Sequence, residues 1–148
     1  MARICRVMYA SDFSSASRPA FAKAVEMAKV MRAPLIIAHA LAPFIPLAGE
    51  GYVTADTWER IETGARGSAQ KHLDALLRAA RKAGVRATTL LSEGPAADQI
   101  VRVAKRKRIG LLVMGTHGRT GFARAFLGSV AARVVATAPC PVLTVRAR

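Results

Sequence analysis

The sequence predicts an α/β fold built on a parallel sheet. Three observations point there. Short apolar runs alternate with segments of helical periodicity along the whole chain. Several of those runs are nearly continuous rather than alternating, as strands covered on both faces should be. The chain has 148 residues, about the size of one domain with a single buried core, so we expect one domain over residues 1–148.

The elements follow in order. "ICRVMYA" (4–10) is a strand ended by Ser11-Asp12. Phe21, Ala24, Val25, Ala28 and Met31 recur at helical spacing, so a helix covers 17–31. "PLIIAHA" (34–40) is the second strand, and "LAPFIPLAGEGYV" reads as a loop. The longest helix starts at Asp56, with Glu59 completing a capping box. It buries Leu73, Leu76, Leu77 and Ala80 and ends at Gly84. Gly64 and Gly67 each weaken its first half by roughly 1 kcal/mol relative to Ala, which predicts a bend or a later start. "VRATTLL" (85–91) is the third strand, Pro95 opens a helix over 95–107, and "IGLLVMG" (109–115) is the fourth strand. A short helix spans 129–137, and "CPVLTVR" (140–146) is the last strand. Right-handed crossovers then place helices on both faces of the sheet.

Composition narrows the function classes. Hydrophobic residues make up 52% of the chain and aromatics 5%, so the core is aliphatic. Apolar runs such as Leu35 to Ala42 fall short of the ~20 residues that span a bilayer. Only Val7 to Ala10 run uninterrupted after the basic N-terminus, too few for a signal-peptide core. We expect no membrane association and a cytoplasmic location. Cys5 and Cys140 stand in no metal-ligand spacing and read as small buried hydrophobes. The net charge of +14 is the compositional oddity, with one dense run at Lys105 to Arg108. Such a surface attracts nucleotides, nucleic acid or anionic lipid, although arginine-rich solubilising charge explains it equally well. The run itself ends a helix, where cations suit the dipole, and no aromatics for base stacking lie beside it.

Open sheets of this class bind ligands beyond the carboxyl ends of their strands. The ends to inspect are Ala10-Ser11-Asp12, His39-Ala40, Ser92-Glu93-Gly94 and Met114-Gly115. The last runs into "GTHGRTGFARAFLGS" (115–129). Gly115 and Gly118 allow φ > 0 and let a ligand touch the backbone. Gly128-Ser129 opens a helix whose first N–H groups suit a phosphate, and the Ser129 hydroxyl serves as cap or as phosphate donor. Arg119 and Arg124 add charge between them. From these residues alone, a phosphate site and a ligand-free glycine turn both stand. A Walker sequence and a dinucleotide fingerprint after the first strand are absent. Asp12 reads either as a ligand to a base or ribose, or as an Asx-turn or N-cap. His39 reads as a satisfied core histidine, His72 as helix surface, and Trp58 and Tyr52 either as a lid or dimer contact or as core or partner packing.

The spacing G-x2-G-x9-G-[S/T], here Gly115, Gly118, Gly128 and Ser129, resembles the signature of the ATP-binding branch of the universal stress protein family. "VMYASDFSSAS", "PLIIAHA", "EGPAADQI" and "APCPVLTVR" resemble that family's other landmarks in the same order across the chain. The resemblance implies a Rossmann-like, adenine nucleotide alpha hydrolase-like sheet of five parallel strands, order 3-2-1-4-5, with ATP across the strand ends. Carried over, Asp12 contacts adenine beside Ala10 and Ser11, and Ala40 offers backbone to the base. Met114, Gly115, His117, Gly118 and Arg119 form the ribose-phosphate loop, and Gly128, Ser129 and Val130 hold the phosphates. Ala10 departs from the proline that many ATP-binding members carry, which bears on turn rigidity. The family commonly dimerises through its closing strand, so a homodimer through 140–146 is expected. In that order the two cysteines, on strands 1 and 5, are too far apart for a disulfide at ~4.8 Å per strand.

Asp12 and Glu93 are the only acidic residues near strand ends, which offers no catalytic set. The expected function is an adenine-nucleotide-binding stress sensor or regulator with at most slow hydrolysis. Mg2+ or Mn2+ would be held mainly by the phosphates. A basic nucleic-acid or polyanion binder on the same fold is the alternative, and flavin binding the third.

Overall fold

The computed structural model describes residues 6–43, 51, 53–117 and 126–147. Five parallel strands form one sheet in the order β3-β2-β1-β4-β5. They are β1 (Val7–Ala10), β2 (Leu35–Leu41), β3 (Ala87–Glu93), β4 (Leu111–Gly115) and β5 (Val142–Val145). Helices α1 (Arg18–Val30), α2 (Ala55–Lys82), α3 (Ala96–Arg106) and α4 (Ser129–Thr137) lie between them, and a 3-10 turn at Ser15–Ser17 precedes α1. The fold class is the one expected from the strand–helix alternation, and the strand order is the one the family resemblance implies.

Each central strand is apolar on both faces because helices cover both. Val7, Tyr9, Leu35, Ile37, Leu111 and Val113 face α1 and α2, meeting Ala20, Ala24, Ala28, Leu73 and Ala80. Their alternating neighbours Met8, Ala10, Ile36, Ala38, Leu112 and Met114 face α3 and α4. The period-2 alternation of strands thus sorts one continuous apolar run into two cores. Alanines on the buried side of α1 let that helix lie close to the sheet.

Several boundaries differ from those expected. β3 starts at Ala87 rather than 85, and β4 at Leu111 rather than 109. The reason is shared: Val85 and Ile109 still belong to the preceding helix caps, donating N–H bonds to Ala80 and Ala104 carbonyls. A chain closing a helix this way enters the sheet two residues later. The N-cap of α2 is Thr54, whose Oγ1 accepts from the Thr57 N–H at 3.3 Å, so the Asp56–Glu59 capping box is not used. α2 runs as one helix from Ala55 through Gly64 and Gly67, so it does not start later as expected. Pro95 is the N-cap of α3 rather than its first residue. Cys140 lies just outside β5 as a half-buried free thiol, and burial pushes its pKa up. Cys5 and Tyr52 lie outside the described residues.

Candidate functional site

Sheet order reverses between β1 and β4, and connections leave their carboxyl ends in opposite directions. A crevice opens there, as topology requires. It is a cavity of about 250 Å³, bounded by the ends of β1, β2 and β4 and the first turns of α3 and α4.

The β1 wall is a built turn. The Ser14 N–H and hydroxyl both donate to Asp12 Oδ1, at 2.9 and 2.6 Å. The Phe13 N–H donates to Ser11 Oγ. Asp12 therefore makes the Asx-turn, while the residue before α1 is Ser17, with no side-chain cap. That turn holds the Asp12 carboxylate against the cavity. His39 reaches across from β2: its Nδ1 lies 2.7 Å from the Ser11 carbonyl, which only accepts, so Nδ1 carries the proton. His39 is satisfied as expected, but it is half-buried and lines the cavity rather than the core.

The opposite wall is backbone. Gly128 caps α4 at φ −58°, and its N–H donates to the Thr116 carbonyl at 2.8 Å. The first intrahelical bond comes from Ala132 N–H to the Gly128 carbonyl, so the amides of Ser129, Val130 and Ala131 have no intrahelical acceptor. They form the positive end of the helix dipole at the cavity. Ser129 is the first helical residue, which removes the capping role considered for its hydroxyl.

Handedness is not what calls for glycine at these positions. Gly115 and Gly128 are not among the positive-φ residues, so the left-handed role expected of Gly115 falls. A Cβ at Gly115 would meet its nearest atom, the His117 carbonyl oxygen, at 3.5 Å, an ordinary contact. Packing does not forbid a side chain there. His117 adds a polar atom aimed at nothing: Thr116 Oγ1 holds its Nδ1 at 2.9 Å, while Nε2 is buried with no hydrogen-bond partner among the described residues.

Ten of the twelve expected site residues line this one cavity: Ala10, Ser11, Asp12, Ala40, Met114, Gly115, His117, Gly128, Ser129 and Val130. Gly118 and Arg119, like Arg124, lie outside the described residues. Glu93 does not line it; its carboxylate pairs with Arg66 of α2. Asp12 is the only carboxylate among the described lining residues.

A sequence profile of the universal stress protein family matches residues 4–146. The chain belongs to the universal stress protein family. A universal stress protein of Methanocaldococcus jannaschii is 36% identical over 143 residues, covering 95% of this chain and 81% of that protein. Among solved structures, the universal stress protein UspA from Lactobacillus plantarum matches with a TM-score of 0.80 at 25% identity, covering 99% and 100% of the two chains. A universal stress protein solved in complex with cAMP matches with a TM-score of 0.74 at 25% identity, again over 99% and 100%.

Within this universal stress protein, sequence reasoning missed Ser17, Ala38, Thr116, Ala96, Ile100 and Ala131 as lining residues. Ala96 and Ile100, at i and i+4 on α3, had a signal: they follow the strand end Ser92-Glu93-Gly94 directly. Gly94 turns the chain into α3 at φ +129°, and a Cβ there would sit 2.7 Å from Gln99 Nε2. Ser17 had none, because only tertiary packing brings its backbone over Gly115.

Proposed function

We propose that this universal stress protein binds an adenine nucleotide, ATP by preference, in the β1/β4 crevice and acts as a stress-response regulator that holds the nucleotide rather than consuming it. The carrying observation is that three α4 amides without an intrahelical acceptor share the cavity lining with His117, whose buried Nε2 has no hydrogen-bond partner among the described residues. Amides and a helix dipole stabilise phosphate without any counter-cation. The Asx-turn presents Asp12 on the facing wall, where a carboxylate accepts from an amino or hydroxyl group of the base or ribose. The small residues Ala38, Ala40 and Ala96 leave room for a flat ring. The structural neighbour that holds cAMP supports the adenine class.

Little supports fast chemistry. Among the described residues no three His, Cys, Asp or Glu side chains group to hold a metal ion. A Mg2+ or Mn2+ entering with ATP would be held mainly by phosphate oxygens and water. Among the described residues Asp12 is the one lining carboxylate, it is engaged in its own turn, and no second carboxylate lines the cavity to position an attacking water.

Calorimetry on nucleotide-stripped protein tests the reading. Expected are one site for ATP with Mg2+, affinity reduced tenfold or more in Gly115→Val with the far-ultraviolet spectrum unchanged, and turnover far below the ~10 s⁻¹ of an ordinary enzyme. No heat with ATP, ADP or AMP at millimolar concentration overturns it.

A further inference from the structure

We infer that the pole opposite the crevice is a docking face for double-stranded nucleic acid, read through its phosphates. A parallel sheet sends every helix-to-strand turn to one pole, and here three of the four, those before β2, β3 and β4, carry the charge. The α1–β2 turn brings Lys29 and Arg32, and the α2–β3 turn brings Arg81, Lys82 and Arg86. The α3–β4 turn brings Lys105 to Arg108, and Arg6 stands at the start of β1. These are ten of the chain's 23 lysines and arginines, and nine are exposed. Among the described residues no carboxylate lies in these turns, and the ion pairs Lys23–Glu26, Arg66–Glu93 and Arg133–Asp98 lie elsewhere.

Helix dipoles account for part of this, since cations suit the last turns of α1, α2 and α3. They do not account for Arg86, which precedes β3; Arg6, just before β1, donates from its guanidinium to the Lys107 carbonyl that closes α3. The ladder bonds Leu35 N–H to Arg86 O, Val7 N–H to Pro34 O and Gly110 N–H to Arg6 O set these residues along one edge of the sheet. Nor do they explain the caps. All three helices close with the same pair of bonds, placing Arg32, Gly84 and Arg108 at φ +51°, +85° and +51°. Glycine is the default there, and an arginine takes that conformation at a cost. Two of the three caps spend stability on a guanidinium.

The array fits a duplex. Four strand starts at about 4.8 Å spacing span about 14 Å, with a helix turn added on each face. A duplex presents a charge every ~1.7 Å of its axis, so such a span meets on the order of ten phosphates. Arginines outnumber lysines, which favours bidentate phosphate contact. No aromatic side chain among the described residues lies in these turns, so single-stranded bases find nothing to stack on. Val30 is the only large apolar side chain exposed there among the described residues, a weak anchor for a membrane interface.

The test is fluorescence anisotropy of a labelled 20-base-pair duplex across a salt series, using the full chain. With about five phosphates engaged, log affinity should fall against log salt with a slope of about −4.5. Arg32→Gly/Arg108→Gly keeps the cap conformation while removing two charges, and should flatten that slope by about 2. Arg60→Gln/Lys71→Gln, of equal charge change on α2, should leave it nearly unchanged. Nucleotide calorimetry should be the same for both variants, so failure here is separable from failure at the crevice. Equal flattening by both variants, no duplex binding at 50 mM salt, or binding to phosphatidylserine vesicles without duplex binding would each overturn the inference.

Discussion

Phe13 sits at φ +61° with its ring stacked between two imidazoles. The His39 ring lies 4.1 Å away centre to centre, and the His72 ring 4.8 Å. A bulky residue in the left-handed region is held there by its surroundings. Here β2 and α2 grip the ring that follows Asp12, so His72 is more than helix surface. Two residues before Ser11, Tyr9 fixes the same turn from beneath: its hydroxyl donates to the Ser17 carbonyl at 3.0 Å. Burial pushes the Tyr9 pKa above 10.0, outweighing the lowering by Ser11 and Ser17. A raised pKa in the fold means that the contribution is whole below pH 10 and is lost as pH rises through the folded value. Tyr9→Phe should therefore cost about 1 kcal/mol at pH 7 and show a weaker loss of stability between pH 10 and 12 than the parent. Urea unfolding across that range measures both; parallel pH profiles would refute it.

The elements differ in how much of themselves they bury. α2 has 28 residues, about 42 Å at 1.5 Å each, yet its first fully buried residue is Ala69. The half before it carries Asp56, Glu59 and Glu62, three of the chain's nine acidic residues, and among the described residues only Trp58 of it is half-buried, the rest being exposed. Glycine is tolerated there because no packing depends on a side chain: nothing lies within 4 Å of a Cβ at Gly64 or Gly67. Replacing both with alanine should raise the local opening free energy over 55–68 by roughly 1–2 kcal/mol, read by amide hydrogen exchange, with little change at Leu73. Equal or faster exchange in the variant would show that these positions need glycine. The opposite helix ends teach the same lesson about boundaries. Val85 and Ile109 look like strand residues because they are apolar and buried, but each is the hydrophobic anchor of a helix cap.

At the scale of the molecule, charge and edge oppose one another. All four residues of β5 are half-buried, and β4 covers only one of its edges. An uncovered edge invites pairing, which supports the homodimer through 140–146 that we propose. Two copies at +14 each repel, and salt screens that repulsion over about 8 Å at physiological strength. Sedimentation should therefore show dimer strengthening from 50 to 300 mM salt, the reverse of the trend for duplex binding. A monomer at tens of micromolar in 300 mM salt would rule the pairing out.

The sequence by itself determined the strand–helix alternation, the two-faced burial of the central strands and, through one spaced set of glycines, where the cavity lies. These are local properties, carried by apolar period and by residues whose size matters where they stand. Tertiary structure alone decided that Gly115 takes no positive φ, that His39 faces the cavity, and that Ser17 and Ile100 share its wall. It alone gathered Arg6, Arg32, Arg86 and Arg108 from four distant segments onto one pole. In the chain they are scattered charges; a parallel sheet makes them neighbours because all its helix-to-strand turns come out at the same end.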